Sequence, residues 1–204
     1  MKICIVPTGT ANLASILGAL SRVGASVSVA RTPGDLDTAE ALVLPGVGSF
    51  AAGRAGLDDL GMTPALVQWI EEGRPLLAIC LGMQLLARSS DESPGCRGFG
   101  IIDHEVTRFD PTVSVPQLGW NLVKGGELVG NGYAYFANSY RLTEAPPGWQ
   151  AGWADHGGPL VASLERGSQL LCQFHPELSG GWGHALLGRW LKRSADPIRE
   201  EAVC

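Results

Sequence analysis

Apolar and polar positions along the chain follow two textures, and the change between them falls near Gly100. In the first part, short fully apolar runs alternate with segments whose apolar residues recur at helical spacing. Lys2 to Pro7 reads as a strand, and Leu13, Ile16, Leu17 and Leu20 then mark a helix that stops by Gly24. Ser26 to Arg31 and Ala41 to Pro45 read as two further strands, the latter running into the Gly46-Val47-Gly48 turn. Two helical stretches follow, the second with Thr63 at the N-cap position and Pro64 at the first helical position. Leu76 to Ile79 is an apolar strand that enters Cys80-Leu81-Gly82 and a helix through Leu86. Beyond Gly100 the segments 100–109, 132–142, 150–153, 160–164 and 170–174 look like strands separated by Gly, Pro and Asn turns. A last helix is expected from about Gly183 to Lys192.

Continuous apolar strands alternating with helices imply an α/β fold: an open, mostly parallel sheet covered by helices on both faces. Antiparallel strands add to it in the second half. No linker or repeat interrupts the chain, so one domain spanning residues 1–204 is expected.

Composition narrows the class. The net charge of −5 comes without any dense run of Lys or Arg, which argues against nucleic acid or an anionic membrane as partner. Five cysteines, Cys4, Cys80, Cys96, Cys172 and Cys204, lie far apart with no C-x-x-C pair. That pattern supports neither a disulfide framework nor a metal site, and suits a reducing compartment. The apolar N-terminal run is too short for a signal peptide, and the stretch from Pro75 to Ala87 falls short of a membrane span. A soluble, cytoplasmic protein is expected.

Cys80 carries the first chemical signal. It follows an apolar strand and has small residues, Ala78 and Gly82, on either side, the offsets of a sharp strand-to-helix turn that lifts one side chain. At a helix N-terminus the free N–H groups and the dipole favour thiolate over thiol. The Leu81 N–H would face an oxyanion formed beside the sulfur. A buried structural cysteine is the plainer alternative, and it holds for Cys4 and Cys172, which lie within strands.

A thiolate needs a base. Among His104, His156, His175 and His184, only His175 closes an apolar strand and precedes Pro176-Glu177. Pro176 favours an extended His175, and residues two apart in an extended segment share a face. Glu177 can then accept one ring N–H and hold the imidazole. Cys80 and His175 both sit at carboxyl ends of strands, where open α/β sheets place their sites. His104 and His156 read as solvent-facing. The Pro45-Gly46-Val47-Gly48-Ser49-Phe50 turn lacks the Lys-Ser/Thr of a phosphate loop and suits close approach of backbone to a substrate. Gln84 either meets a substrate or is merely solvated. Trp120 and the Asn138-Ser139-Tyr140 backbone either line a pocket or belong to the core, where most strand aromatics lie.

Four segments in this order resemble the class I (triad-type) glutamine amidotransferases. They are Pro45–Phe50, Ile79-Cys80-Leu81-Gly82-Met83-Gln84-Leu85-Leu86, Gly119-Trp120-Asn121 and Gln173-Phe174-His175-Pro176-Glu177. The resemblance runs from Thr8-Gly9-Thr10-Ala11-Asn12-Leu13 to the last helix and implies a flavodoxin-like sheet. The Gly-Trp-Asn and Tyr-Phe-x-x-Ser-Tyr segments are similar to glutaminase subunits of imidazole glycerol phosphate synthase, an enzyme of histidine biosynthesis. The resemblance implies Cys80, His175 and Glu177 as a catalytic triad. It further implies Val47, Gly48 and Leu81 as oxyanion donors, and Gly46, Gln84, Asn138, Ser139 and Tyr140 around L-glutamine. No metal or cofactor is implied. The partner would be a barrel-fold cyclase subunit in a heterodimer that receives the ammonia. Four positions depart from the family pattern: Ala78 for Gly, Asn138 and Gln117 for His, and Leu178 for a basic residue. Other expectations the residues leave open are a subunit of another synthase (anthranilate or aminodeoxychorismate synthesis, or a paralogous pathway that aminates a sugar), a stand-alone γ-glutamyl hydrolase, and a silent binding subunit. Met83 at a position where the anthranilate and aminodeoxychorismate types carry His counts against that pair.

Overall fold

A computed structural model of the protein describes residues 1–9 and 12–196; Thr10, Ala11 and Cys204 lie outside the described residues. In chain order the elements are β1 (Lys2–Ile5), α1 (Leu13–Arg22), β2 (Ser26–Val29), β3 (Ala41–Gly46), α2 (Phe50–Asp59), α3 (Thr63–Glu71), β4 (Leu76–Cys80), α4 (Leu81–Gln84) and β5 (Ala87–Ser90). They continue with β6 (Ile102–Arg108), β7 (Gln117–Lys124), β8 (Asn131–Asn138), β9 (Tyr140–Arg141), β10 (Gln150–Asp155), β11 (Pro159–Arg166), β12 (Gln169–Cys172) and α5 (Gly180–Ala195).

The main sheet has nine strands in the order β2-β1-β3-β4-β12-β11-β10-β7-β8. Its first five are parallel neighbours, and the remaining four join antiparallel. A small second sheet, β5-β6-β9, flanks it. Strand period two sets the two cores. Leu42 and Leu44 of β3, with Leu76 and Ala78 of β4, pack on one face against Leu57 of α2 and Leu66 and Trp69 of α3. Ala41 and Val43, with Leu77 and Ile79, pack on the other against Ile16, Ala19 and Leu20 of α1 and Leu186, Leu187 and Trp190 of α5. Strands buried on both faces can be apolar at every position, which is why their sequences read as unbroken runs.

Several local expectations are corrected. Thr63 is the first residue of α3 rather than its cap, because its hydroxyl donates to Asp58 Oδ1 at 2.7 Å instead of turning back on its own helix. The helix after Cys80 lasts one turn and gives way to β5. Its packing explains the brevity: the Phe99 and Ile102 N–H groups bond to the carbonyls of Leu85 and Leu86, drawing the chain into the small sheet. β7 is a full strand that the sequence pattern did not mark, and α5 extends beyond the expected helix at both ends. His104 and His156 are half-buried rather than solvent-facing. His156 Nε2 lies 2.8 Å from the Ser114 carbonyl oxygen, and its ring meets Phe109 edge-on.

Candidate active site

Adjacent parallel strands β4 and β12 deliver the central residues. Their register pairs Ile79 with Cys172, so Cys80 lies at the end of one strand and Gln173 to His175 continue the other. Cys80 has φ 53° and ψ −109°, making it the non-glycine residue with positive φ among those described. An L-residue tolerates that conformation only where its surroundings impose it. Here β3 and α4 crowd the turn. A Cβ at Gly82 would overlap the Leu44 carbonyl, and one at Gly46 would lie 2.9 Å from Leu81 Cβ. Small residues at both positions let strand and helix close around Cys80.

His175 reaches the same point from the far end of β12. Its N–H donates to the Tyr135 carbonyl at 2.8 Å, and its own carbonyl accepts from Ser179 Oγ at 2.6 Å. Ser179 Oγ in turn accepts the Tyr135 N–H at 3.0 Å. The backbone of His175 is thus pinned between β8 and the entry to α5. After His175 the chain does not stay extended: Pro176–Leu178 form one 3-10 turn, which still brings Glu177 back beneath the ring. Nδ1 donates to Glu177 Oε1 at 2.8 Å, with both side chains almost fully buried. That bond leaves Nε2 free of Glu177, and Cys80 lines the same cleft as His175. Burial on its own would lower the His175 pKa. The hydrogen bonds to Cys80 and Glu177, and the negative charge on each, outweigh it and raise the value from 6.5 to about 10. Cys172 is held well above the usual thiol range by burial and by Glu165 and Glu177, as befits a structural cysteine.

A cleft of about 240 Å³ opens over Cys80. Val47, Gly48, Leu81, Gln84, Asn138, Ser139, Tyr140 and His175 all line it. Gly46 does not; it pairs with Cys80 in register beneath the cleft, where its lack of a side chain admits Leu81. Gln84 is buried rather than solvated, its amide donating to the Tyr140 carbonyl at 3.1 Å. Asn138 Nδ2 donates to the same carbonyl at 3.0 Å, whereas its Oδ1 is buried with no hydrogen-bond partner.

The sequence reading gave no role to two residues, one on the cleft wall and one buried behind Cys80. Glu92 lines the cleft and accepts the Phe50 N–H at 2.7 Å, so the first turn of α2 is fixed to the cleft wall. Gln173, fully buried, donates to Cys80 Sγ at 3.7 Å. In the sequence it stood only as a member of the Gln173-Phe174-His175-Pro176-Glu177 segment, a polar side chain at the end of an apolar run. Trp120 corrects a different expectation: it is 58% exposed rather than core. Leu118, Trp120 and Leu122 pair across β7–β8 with Ala137, Tyr135 and Tyr133 to form an outward apolar row next to the His175 backbone. Among the described residues, no group of three or more His, Cys, Asp or Glu is arranged to hold a metal ion, and no helix is long and apolar enough to cross a membrane.

Known proteins resemble this chain in sequence and in fold. The family model for glutamine amidotransferase class-I matches residues 5–192. The chain is 37% identical to the imidazole glycerol phosphate synthase subunit HisH of Symbiobacterium thermophilum, covering 97% of this chain and 96% of that one. It is 39% identical to the imidazole glycerol phosphate synthase hisHF of Arabidopsis thaliana over 93% of its own length, but spans only 34% of that longer protein. A crystal structure of a glutamine amidotransferase superposes with a TM-score of 0.75 at 21% identity, covering 95% of this chain and 99% of the other, a likeness of fold.

Proposed function

Because the chain belongs to the class I glutamine amidotransferases, among the HisH subunits of imidazole glycerol phosphate synthase, we propose that its cleft hydrolyses L-glutamine with Cys80 as nucleophile, His175 as proton carrier and Glu177 as orienter. It is a glutamine-hydrolysing enzyme subunit, acting as one domain. The Cys80 thiolate attacks the side-chain amide carbon, forming a C–S bond as the carbonyl electrons move to oxygen. N–H groups of Leu81 and of the Val47–Gly48 turn receive that oxyanion. His175 gives its proton to the departing nitrogen, ammonia leaves, and a glutamyl thioester remains. Water then attacks the thioester, His175 takes up its proton, and glutamate departs from the regenerated sulfur. Glu92 supplies the negative charge for the substrate's α-ammonium, since it is the one carboxylate among the described residues that line the cleft. Asn138 Oδ1 accepts a second hydrogen bond from the same group. The chemistry calls on no metal or cofactor.

The observation that carries this reading is the union at one point of a strained Cys80 and a buried His175–Glu177 pair. The partner is a barrel-fold cyclase subunit that takes the ammonia directly, out of contact with solvent. The outward apolar row of β7–β8 supports that part of the proposal, because an exposed patch beside a site marks a docking face. Cys80→Ala in the assembled synthase tests it: glutamine-dependent product formation falls more than about a thousandfold while ammonium-dependent formation persists. Retained glutamine use in that variant would refute the assignment.

A further inference from the structure

We infer that Gln173 is the hydrogen-bond donor that holds the Cys80 sulfur in its thiolate form, with Gln84 as the residue that orients it. This rests on Cys80 being the nucleophile, and it adds a role for residues to which the triad assigns none.

Gln173 follows β12 directly, its N–H bonded to the Ala162 carbonyl at 2.8 Å, and its side chain is wholly shielded from solvent. A primary amide in such a place needs partners within the protein for both its NH₂ and its oxygen. Gln173 does so by pointing its NH₂ at Cys80 Sγ, 3.7 Å away, and its oxygen at Gln84 Nε2, 3.0 Å away. The orientation is not free to invert. Gln84 Nε2 also donates to the Tyr140 carbonyl, so Gln84 presents N–H groups toward Gln173 and can be met only by the Gln173 oxygen. The NH₂ of Gln173 is thereby committed to the sulfur. A donor stabilises a thiolate and does little for a thiol, whose sulfur is a weak acceptor.

The charged groups around the sulfur are His175, with Glu177 behind its ring, and Glu92 on the cleft wall. His175 must give up its proton during the reaction, so its charge on the sulfur is transient. The Gln173 N–H is permanent, and it fixes the direction of the sulfur through every step. The chain from Tyr140 through Gln84 and Gln173 to Cys80 also joins the cleft wall to the nucleophile.

The test is the pH dependence of Cys80 alkylation by iodoacetamide in the full chain, followed at that residue by mass spectrometry, with melting midpoints measured in parallel. Gln173→Met keeps the length and volume and removes the donor. The alkylation inflection is expected about one pH unit higher, with about tenfold slower labelling at neutral pH. Gln84→Leu, which leaves the donor but removes its anchor, shifts the inflection the same way by a smaller amount. An unchanged inflection in Gln173→Met, with a lowered melting midpoint alone, would show that the amide only fills a buried polar position and overturn the inference while sparing Cys80. Should Gln173→Met not fold, the Gln84→Leu inflection decides in the same two directions. An unreactive Cys80 in the unaltered chain at neutral pH would remove this inference and the nucleophile with it.

Discussion

Cys80 bears a backbone conformation that costs on the order of 1–3 kcal/mol, and it is held there by the close approach of Leu44, Gly46 and Gly82. The strain directs the sulfur toward the imidazole of His175, whose pKa of about 10 depends on Cys80 and Glu177 overcoming burial. Glu177→Gln removes one of those two supports, so the His175 titration midpoint falls, as a proton NMR titration of the ring would register. The linkage has a definite sign. A pKa raised on folding stabilises the folded chain fully below about 6.5 and loses that contribution as pH rises toward about 10. The stability difference between the unaltered chain and Glu177→Gln is therefore expected to be largest near pH 6 and to shrink on the way to pH 10. A difference that grew with pH would contradict the account. At this scale the sequence was legible where chemistry has a fixed spacing: the small-flanked Cys80 and the His175-Pro176-Glu177 run. Glu92 and Gln173 stayed hidden because their partners, Phe50 and Cys80, are distant in sequence and met only through the fold.

Elements made almost entirely of apolar residues, β3 and β4, announced themselves, since a strand covered on both faces has no polar side to show. β7 did not, and its faces explain why. Leu118, Trp120 and Leu122 alternate as an inward face should, yet they point outward, while Gln117 is buried. An apolar alternation reports a face to be covered, and says nothing of whether the cover is this chain or another. α5 carries the opposite lesson. Glycines at its start conceal a sixteen-residue helix that is anchored by Trp190, wholly buried and donating from Nε1 to the Ser168 carbonyl at 3.1 Å. Trp190→Ala is expected to cost about 3–5 kcal/mol in denaturant unfolding, because it opens a large cavity between α5 and the sheet and orphans that carbonyl. Loss of less than about 1 kcal/mol would mean that α5 is not seated as described.

The whole molecule joins a parallel half, which carries Cys80, to an antiparallel extension, whose β8 fixes the backbone of His175. The site is assembled only when both halves are in place, and the outward row of the extension ends one hydrogen bond from the imidazole-bearing residue. Trp120→Glu should consequently abolish binding of the proposed partner subunit in calorimetry while changing the stability of the isolated chain by no more than about 0.5 kcal/mol, the range of ordinary surface substitutions. Unaltered binding would move the docking face elsewhere. The sequence pattern conveyed the parallel half and the strand-rich second part, but the sheet order was beyond it, since pairing of β4 with β12 brings together residues some 90 positions apart. The most direct test of the central claim is to mix the assembled synthase with glutamine, quench it in acid during turnover and determine the mass of the peptide containing Cys80. The account predicts a glutamyl thioester on that cysteine, absent from Cys80→Ala; continuing glutamine hydrolysis with no adduct there, and undiminished in Cys80→Ala, would contradict it.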